Sequence, residues 1–311
     1  MRKTILIVGC GAIGGIYAAH LARVAEVIGL DASLPHVQAI QRDGLKLSGR
    51  TETVTRFEVH NDAAALAGRH IDVILFLVKS QATAAAFAAL KPHLAGRPLL
   101  VTLQNGMGNV EVLAGMCDWN IAQGISMEAG RFRGPGDIEH FIHGEDSWLG
   151  PARGELAAVA WLGALMNAAG MPTQVAADPR GAIWSKFIFN CVMNPVGAIV
   201  LGQNRARYEV AEVAALIDQM FEECGRVAAA QGIALSFDPM HIVKRTRSGE
   251  MALTSHAGSM AQDVAAGRET EIEAMTGYMV RKAKALGVAV PVTETVYRLA
   301  KGVEYAAWLK K

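Results

Sequence analysis

The sequence predicts an α/β chain in which a doubly wound, mostly parallel sheet is followed by an all-helical domain. Three observations carry this. Short apolar runs alternate with helix-like stretches through the first half of the chain, the rhythm of buried parallel strands joined by crossover helices. Three glycines, Gly9, Gly11 and Gly14, follow the first apolar run and lead into the first helical stretch. Beyond about Arg180 the two-residue period disappears and long amphipathic stretches take over.

Ile5–Val8 reads as the first strand, Ile13–Arg23 as an Ala-rich helix, and Val27–Leu30 as a second strand ending at Asp31. Pro35–Arg42 reads as helix, and Leu45–Leu47 with Val54–Val59 alternate like a small pair of strands. Val73–Val78 and Leu99–Leu103 are continuous apolar runs, as in strands buried on both faces, with helical Thr83–Leu90 between them. Arg131–Gly150, rich in Gly and polar residues, is expected to add antiparallel strands at the far side of the sheet. Later helices are expected over Ala182–Ile199, Val210–Gln231, Pro239–Arg247, Ser259–Ala266, Glu271–Leu286 and Thr293–Leu309. The domain boundary falls at Asp178-Pro179, giving a sheet domain over 1–178 and a helical domain over 179–311. A ligand shared by two such domains is expected in the cleft between them.

Bulk properties exclude several classes of function. Of the 311 residues 51% are hydrophobic and 19% charged, far from a disordered composition. Thirty basic against 29 acidic residues leave a net charge of +1, so no field favours nucleic acid or an anionic membrane. Cys10, Cys117, Cys191 and Cys224 are far apart, without C-x-x-C or a His at metal-ligand spacing. They read as reduced thiols of a cytoplasmic protein, and no metal is expected. Behind Met1-Arg2-Lys3 the apolar run is only Ile5–Val8, too short for a signal peptide. No stretch reaches the roughly 18 apolar residues of a membrane helix.

Gly9, Gly11 and Gly14 spell G-x-G-x-x-G between strand and helix, with Asp31 22 positions after Gly9. In a Rossmann-type dinucleotide site the first glycine permits the tight turn and the second lets backbone approach the pyrophosphate. The third lets helix pack on strand. The backbone at Ala12 and Ile13 then opens the helix toward the phosphates with N–H groups and a positive dipole end. Asp31 is placed to accept hydrogen bonds from the adenosine ribose hydroxyls, which favours NAD(H) and repels the 2′-phosphate of NADP(H). It also suits a turn aspartate capping the next helix. Lys79 and Gln104-Asn105-Gly106 follow two strands at their carboxyl ends, the edge where open sheets bind ligands. A solvated lysine and a plain Asn-Gly turn would look the same.

In the helical half, Lys186, Asn190 and Asn194 recur every fourth residue among Phe187, Ile188, Phe189, Val192 and Met193. They share one helix stripe, drifting about 40° per step. A cation and two amides on a buried face need partners, either an interhelical ladder or a ligand. A ketone receiving a hydride develops an alkoxide, and a buried lysine can supply both charge and proton to it. Ser259 and Asp263 share a face one turn apart, and Gly267 interrupts their helix. Thr270 with Glu273 reads as a capping box, which puts Glu271 at the first helical position. There it serves either the helix dipole or a site.

Over almost its whole length the chain resembles the ketopantoate reductase family. The resemblance rests on Gly9-x-Gly11-x-x-Gly14, Val78-Lys79, Gln104-Asn105-Gly106, Lys186-x-x-x-Asn190-x-x-x-Asn194-Pro195, and Ser259-Met260-x-x-Asp263 before Thr270-Glu271-Ile272. It implies reduction of a 2-keto acid to a D-2-hydroxy acid, foremost 2-dehydropantoate to D-pantoate, with Lys186 as general acid. It implies Asn190 and Asn194 on the substrate hydroxyl and carbonyl, Ser259 on its carboxylate, Glu271 in support, and Lys79 and Asn105 where cofactor meets substrate. His256 stands close to where the family can carry a substrate-binding Asn, and it joins the substrate set. Family members commonly hold the NADPH 2′-phosphate with an Arg near the end of the second strand, where this chain has Asp31 and Ser33. An NAD-linked D-2-hydroxy-acid dehydrogenase is the second reading, and a non-catalytic dinucleotide sensor the third. The expected partner is a small keto acid, and an all-helical second domain is compatible with a homodimer.

Overall fold

A computed structural model describes residues 2–253 and 257–309. The chain divides into two compact units, Met1–Gln104 with Gly108–Pro179, and Asn105–Met107 with Arg180–Lys311. Among the described residues no helix is long and apolar enough to cross a membrane.

In the first unit every residue of β1 (Thr4–Val8) is buried. Its alternation separates two cores. Ile5 and Ile7 point into a cluster with Leu75, Val101 and the helix residue Ile16, while Leu6 and Val8 join Ile74, Phe76 and Phe87. Burial on both faces explains why these strands carry unbroken apolar runs. The chain then winds through α1 (Ala12–Leu21), β2 (Glu26–Leu30), α2 (Leu34–Asp43), β3 (Leu45–Gly49), β4 (Thr53–Thr55) and β5 (Glu58–His60). It continues through β6 (Val73–Phe76), α3 (Thr83–Leu90), β7 (Leu99–Thr102), α4 (Asn109–Met116) and β8 (Ile121–Ile125). β9 (Ala129–Gly134), β10 (Asp137–Ile142), β11 (Ser147–Arg153), α5 (Ala157–Ala168) and β12 (Thr173–Val175) complete it.

The central sheet has the order β12-β11-β8-β7-β6-β1-β2-β5. β1 pairs in parallel with β2 on one side and β6 on the other. The winding therefore reverses beside β1, and the carboxyl ends of β1 and β6 flank the topological switch point.

Two sequence expectations need correction. Val54–Val59 is not one strand: β4 pairs antiparallel with β3, whereas β5 joins the central sheet parallel to β2. The break at Arg56-Phe57 lets the chain cross between sheets, and Phe57 packs into the core as it does so. The hairpin in Arg131–Gly150 does not extend the central sheet. β9 and β10 build a second sheet of order β4-β3-β10-β9, and only β11 joins the first, antiparallel to β8. The small sheet covers α1 closely: a Cβ on Gly15 would lie 2.3 Å from Ile138 Cδ1.

The second unit is helical: α6 (Arg180–Ile199), α7 (Asn204–Glu209), α8 (Ala211–Ala229), α9 (His241–Arg247), α10 (Ser259–Ala265), α11 (Tyr278–Leu286) and α12 (Pro291–Trp308). α6 is buried along most of its length although Pro195 lies inside it. Proline has no N–H, so the Cys191 carbonyl four residues earlier loses its helical partner. The Thr276 hydroxyl, fully buried, donates to that oxygen at 2.9 Å. The N-terminus of α12 is closed by Glu223 of α8, whose buried carboxylate accepts from the N–H of Val292 (3.1 Å) and Thr293 (2.8 Å).

The capping box expected at Thr270 is half formed. Thr270 Oγ1 accepts the Ile272 N–H at 3.2 Å. Glu273 instead turns outward to Arg281 and the Tyr297 hydroxyl, both at 2.8 Å. The segment Glu273–Gly277 is π-helical, with Gly277 N–H reaching Ile272 O at 2.9 Å. This wide turn precedes α11 in what the sequence shows as one continuous helix.

Replacing Thr276 by Val keeps the shape but leaves the Cys191 carbonyl buried without a donor. That should cost about 1–3 kcal/mol and lower Tm by several degrees. Adding Pro195→Ala restores a backbone donor to the same oxygen and should recover part of the loss. Additive effects in the two-mutation cycle would show that the hydroxyl and the missing N–H are unrelated.

Candidate active site

The glycine turn at the switch point is built from close backbone approaches. Gly9 has φ +92°, and a Cβ there would lie 2.7 Å from Val78 N. A Cβ on Gly14 would sit 1.8 Å from Gly9 O, so only glycine lets α1 start this close to β1. Gly11 differs: a Cβ there meets nothing within 4 Å, so its face is open. α1 begins at Ala12 without an acidic residue in its first turn and without a side-chain cap. An open glycine before a helix start of this kind fits a phosphate-bearing ligand.

The turn is held from two sides. Asp31 Oδ2 accepts the Cys10 N–H and Oδ1 the Ser33 N–H, both at 2.8 Å. Asp31 is therefore a turn aspartate, and each oxygen keeps a further lone pair. Buried His36 accepts the Gly136 N–H at Nδ1 (2.9 Å), so its Nε2 carries the proton and donates to Cys10 O at 2.9 Å. Nothing in the local sequence distinguishes His36, because the bond to residue 136 is visible only in the fold. Arg42 sits in the last turn of α2, paired with Asp43 at 2.7 Å, about 12 Å along the helix from the Asp31 end. Burial pushes the Cys10 thiol far above its ordinary value and that of Cys224 up to about 12, which leaves both unreactive.

Beyond β6, Lys79 stands at the N-cap of a short 3₁₀ turn. The turn is fixed by two amides, Gln104 of the Gln-Asn-Gly motif and Asn109, to which the sequence pattern gives no role. Gln104 donates to Val78 O and Thr83 Oγ1, both at 2.8 Å, and accepts from Thr102 Oγ1. Asn109, buried, accepts from Thr83 Oγ1 at 2.9 Å and donates to Ser80 Oγ at 3.2 Å.

In the helical unit four chain segments meet. Asn190 is buried on α6, Lys186 is half-buried one turn before it, and Asn194 follows one turn later. Asn194 Nδ2 contacts Met275 Sδ at 3.3 Å, beside the turn in which Glu271 O accepts the Met275 N–H at 3.0 Å. A Cβ on Gly258 would come within 4.0 Å of Asn194 Oδ1, which brings the start of α10 to the same place. Ser259 opens α10 exposed, and its hydroxyl does not cap the helix. The fourth segment is Asn105–Met107, tied in by Met107 N–H to Ala274 O at 2.8 Å. Asp263 is engaged with Arg268 at 2.9 Å. His256 lies outside the described residues.

Models of the families described as "Ketopantoate reductase PanE/ApbA" and "Ketopantoate reductase PanE/ApbA C terminal" match residues 5–154 and 178–304. The chain belongs to the ketopantoate reductase family. A 2-dehydropantoate 2-reductase of Halobacterium salinarum is 31% identical, covering 96% of this chain and 97% of its own. A crystal structure of a PanE/ApbA family ketopantoate reductase from Ralstonia eutropha JMP134 is 33% identical with TM-score 0.85, covering 98% and 99%. A D-mandelate dehydrogenase in complex with NADH and anilino(oxo)acetate shares the ketopantoate reductase fold at TM-score 0.84 and 23% identity, covering 98% and 99%.

Gly11→Ala and Gly14→Ala separate folding from binding. Gly11 has φ −62° and open space, so Gly11→Ala should leave Tm almost unchanged. It should weaken dinucleotide binding about tenfold or more, ~1.4 kcal/mol. Gly14→Ala drives a methyl into backbone and should lower Tm sharply or prevent soluble expression. Equal stability losses in both variants would remove the argument.

Proposed function

We propose that the protein reduces a 2-keto acid to a D-2-hydroxy acid with NAD(P)H, and that 2-dehydropantoate is the leading substrate. Membership of the ketopantoate reductase family makes it an oxidoreductase that works with a nicotinamide dinucleotide. The observation that carries the substrate reading is the meeting of Asn190 and Asn194, the Gly258-Ser259 turn, the Glu271–Gly277 turn and Asn105–Met107. Such convergent polar groups on a buried helix suit a small polar ligand.

In this reading Gly9, Gly11 and Gly14 with the Ala12 and Ile13 backbone hold the pyrophosphate, Asp31 the ribose, and Lys79 the carboxyl edge. The dinucleotide supplies the hydride. Lys186 holds a proton at Nζ beside the keto oxygen and hands it over as negative charge develops there. Asn190, Asn194 and Asn105 orient the carbonyl and hydroxyl, Ser259 donates to the carboxylate, and Glu271 supports Lys186. Turnover of a panel of 2-keto acids with NADH and with NADPH tests the assignment. No oxidation of either cofactor with any keto acid would sink it and leave a dinucleotide-binding protein without this chemistry.

Lys186→Ala should lower kcat for reduction by at least ~100-fold while dinucleotide affinity changes little. Activity within a few-fold of the parent would remove Lys186 as the acid.

A second reading, an NAD-linked D-2-hydroxy-acid dehydrogenase, is favoured by Asp31 and by the absence of an Arg beside Ser33 in the sequence. A carboxylate about 4 Å from a 2′-phosphate feels a few kcal/mol of repulsion at an effective dielectric near ~20. Half of that gives NADH at least about a tenfold advantage in kcat/KM. Because Asp31 also binds the Cys10 and Ser33 N–H groups, Asp31→Asn is the cleaner probe. It should narrow the preference, and adding Ser33→Arg should turn it toward NADPH. A parent enzyme that prefers NADPH would overturn this assignment and strengthen 2-dehydropantoate as substrate.

A further inference from the structure

In the first unit His140 and His143 both meet the buried carboxylate of Glu128, and His20, distant in sequence, comes beside the two imidazoles. His20 lies in the last turn of α1, His140 on β10, His143 just beyond β10, and Glu128 just before β9. The side chains of His140 and Glu128 are 0% and 1% exposed, and that of His143 is 26% exposed. His140 Nε2 is 2.7 Å and His143 Nδ1 3.1 Å from Glu128 Oε2. Both imidazoles thus lie within hydrogen-bond distance of the same carboxylate oxygen.

The remaining ring nitrogens are held in a way that sets the tautomers. His20 Nδ1 faces Ala169 O at 3.2 Å; a carbonyl only accepts, so Nδ1 carries the proton and Nε2 keeps its lone pair. Thr51 Oγ1 lies between His20 Nε2 (3.2 Å) and His140 Nδ1 (2.9 Å). Its single proton can serve only one of them. When it serves His20, His140 Nδ1 must be the donor, which leaves the His140 Nε2 lone pair against the Glu128 carboxylate. In that tautomer a cation, a proton or a metal, fits between the two acceptors; in the other, His140 Nε2 donates to Glu128. Ring N–H groups directed outward to a carbonyl and a hydroxyl are the orientation that metal-ligating histidines adopt.

We propose that His20, His140, His143 and Glu128 form a site for one divalent transition metal of the zinc class. Imidazole with carboxylate suits zinc and its neighbours, bound with Zn–N of about 2.0–2.1 Å in tetrahedral geometry. Such geometry places ligand atoms about 3.4 Å apart. One ring nitrogen from each histidine already lies within 4.8 Å of the others, so imidazole rotations close the set once His20 leaves Thr51. His143, partly exposed, gives access from solvent. His20 lies eight residues beyond Ala12, about 12 Å along α1 from its phosphate-facing end. The metal is therefore structural, clamping α1 to the small sheet, and is independent of the proposed reduction.

The test uses the full chain without a polyhistidine tag, stripped with EDTA and titrated with Zn²⁺ by calorimetry and with Co²⁺ by visible absorption. The expected result is one equivalent bound, ligand-field bands of tetrahedral Co²⁺, and a Tm about 3 °C or more higher with Zn²⁺. His143→Ala, at a partly exposed position, should weaken Zn²⁺ binding about tenfold or more and leave keto-acid turnover unchanged. Glu128→Gln keeps the shape and removes the charge, and should weaken binding similarly. No binding with Zn²⁺ in molar excess, or binding equally strong in both variants, overturns the site and leaves a hydrogen-bonded histidine cluster.

Discussion

The contact on which the rest of the first unit depends is the approach of Gly9 to the backbone at Val78. With 2.7 Å between a would-be Cβ and Val78 N, no side chain fits, and β1 and β6 can end side by side. That brings the glycine turn and the Lys79 turn to the same edge, where the strand order reverses. Gly14 extends the same constraint into α1, whose axis is set by contact with Gly9 O. The polar groups nearby serve this geometry. Gln104 holds the Val78 carbonyl, Asp31 the Cys10 N–H, and His36 the Cys10 carbonyl. Each satisfies a backbone group that a tight turn would otherwise leave unpaired.

The helical unit solves a related problem by another route. Pro195 removes one hydrogen bond from the middle of a buried helix, and the fold answers with Thr276 from the π-helical turn. That bond fixes the Glu271–Gly277 segment beside Cys191 and Asn194 instead of leaving it to side-chain packing. The same turn binds Met107 through Ala274 O, and Thr270 just before it is held by Glu304 of α12 at 2.8 Å. The hydrogen bond lost at Pro195 thus becomes the point at which the polar segments of this unit are brought into register.

How much of this is legible in the sequence depends on the range of the interactions. Buried strands and long amphipathic helices declare themselves locally, so β1, β2, β6, β7, α3, α6 and α12 stand where their apolar patterns place them. β4 and β5 do not, because a strand that changes sheets keeps one continuous alternation while its partners change. α4, β8, α5 and β12 escape the sequence reading, since their apolar stretches carry no motif and no clear period. The π-helical turn is invisible because one extra residue per turn leaves the apolar period nearly intact. The glycine spacing and the Lys186-Asn190-Asn194 stripe are periodic and legible as patterns. The supports are not: His36 to Gly136, Glu223 to Thr293 and Glu128 to His140 join residues whose closeness only tertiary structure creates.

Asp31 is one residue answering two demands. Its two oxygens already hold the glycine turn and the lead into α2 through backbone N–H groups. Those bonds also fix the side chain at the end of β2, where a ribose would meet it. The carboxylate is thereby preorganised by the turn it stabilises. An exchange that removes the charge removes half of that scaffold as well. A substitution at this position is therefore coupled to the shape of the glycine turn, and the turn's other tie, His36 to Cys10 O, must carry what Asp31 gives up.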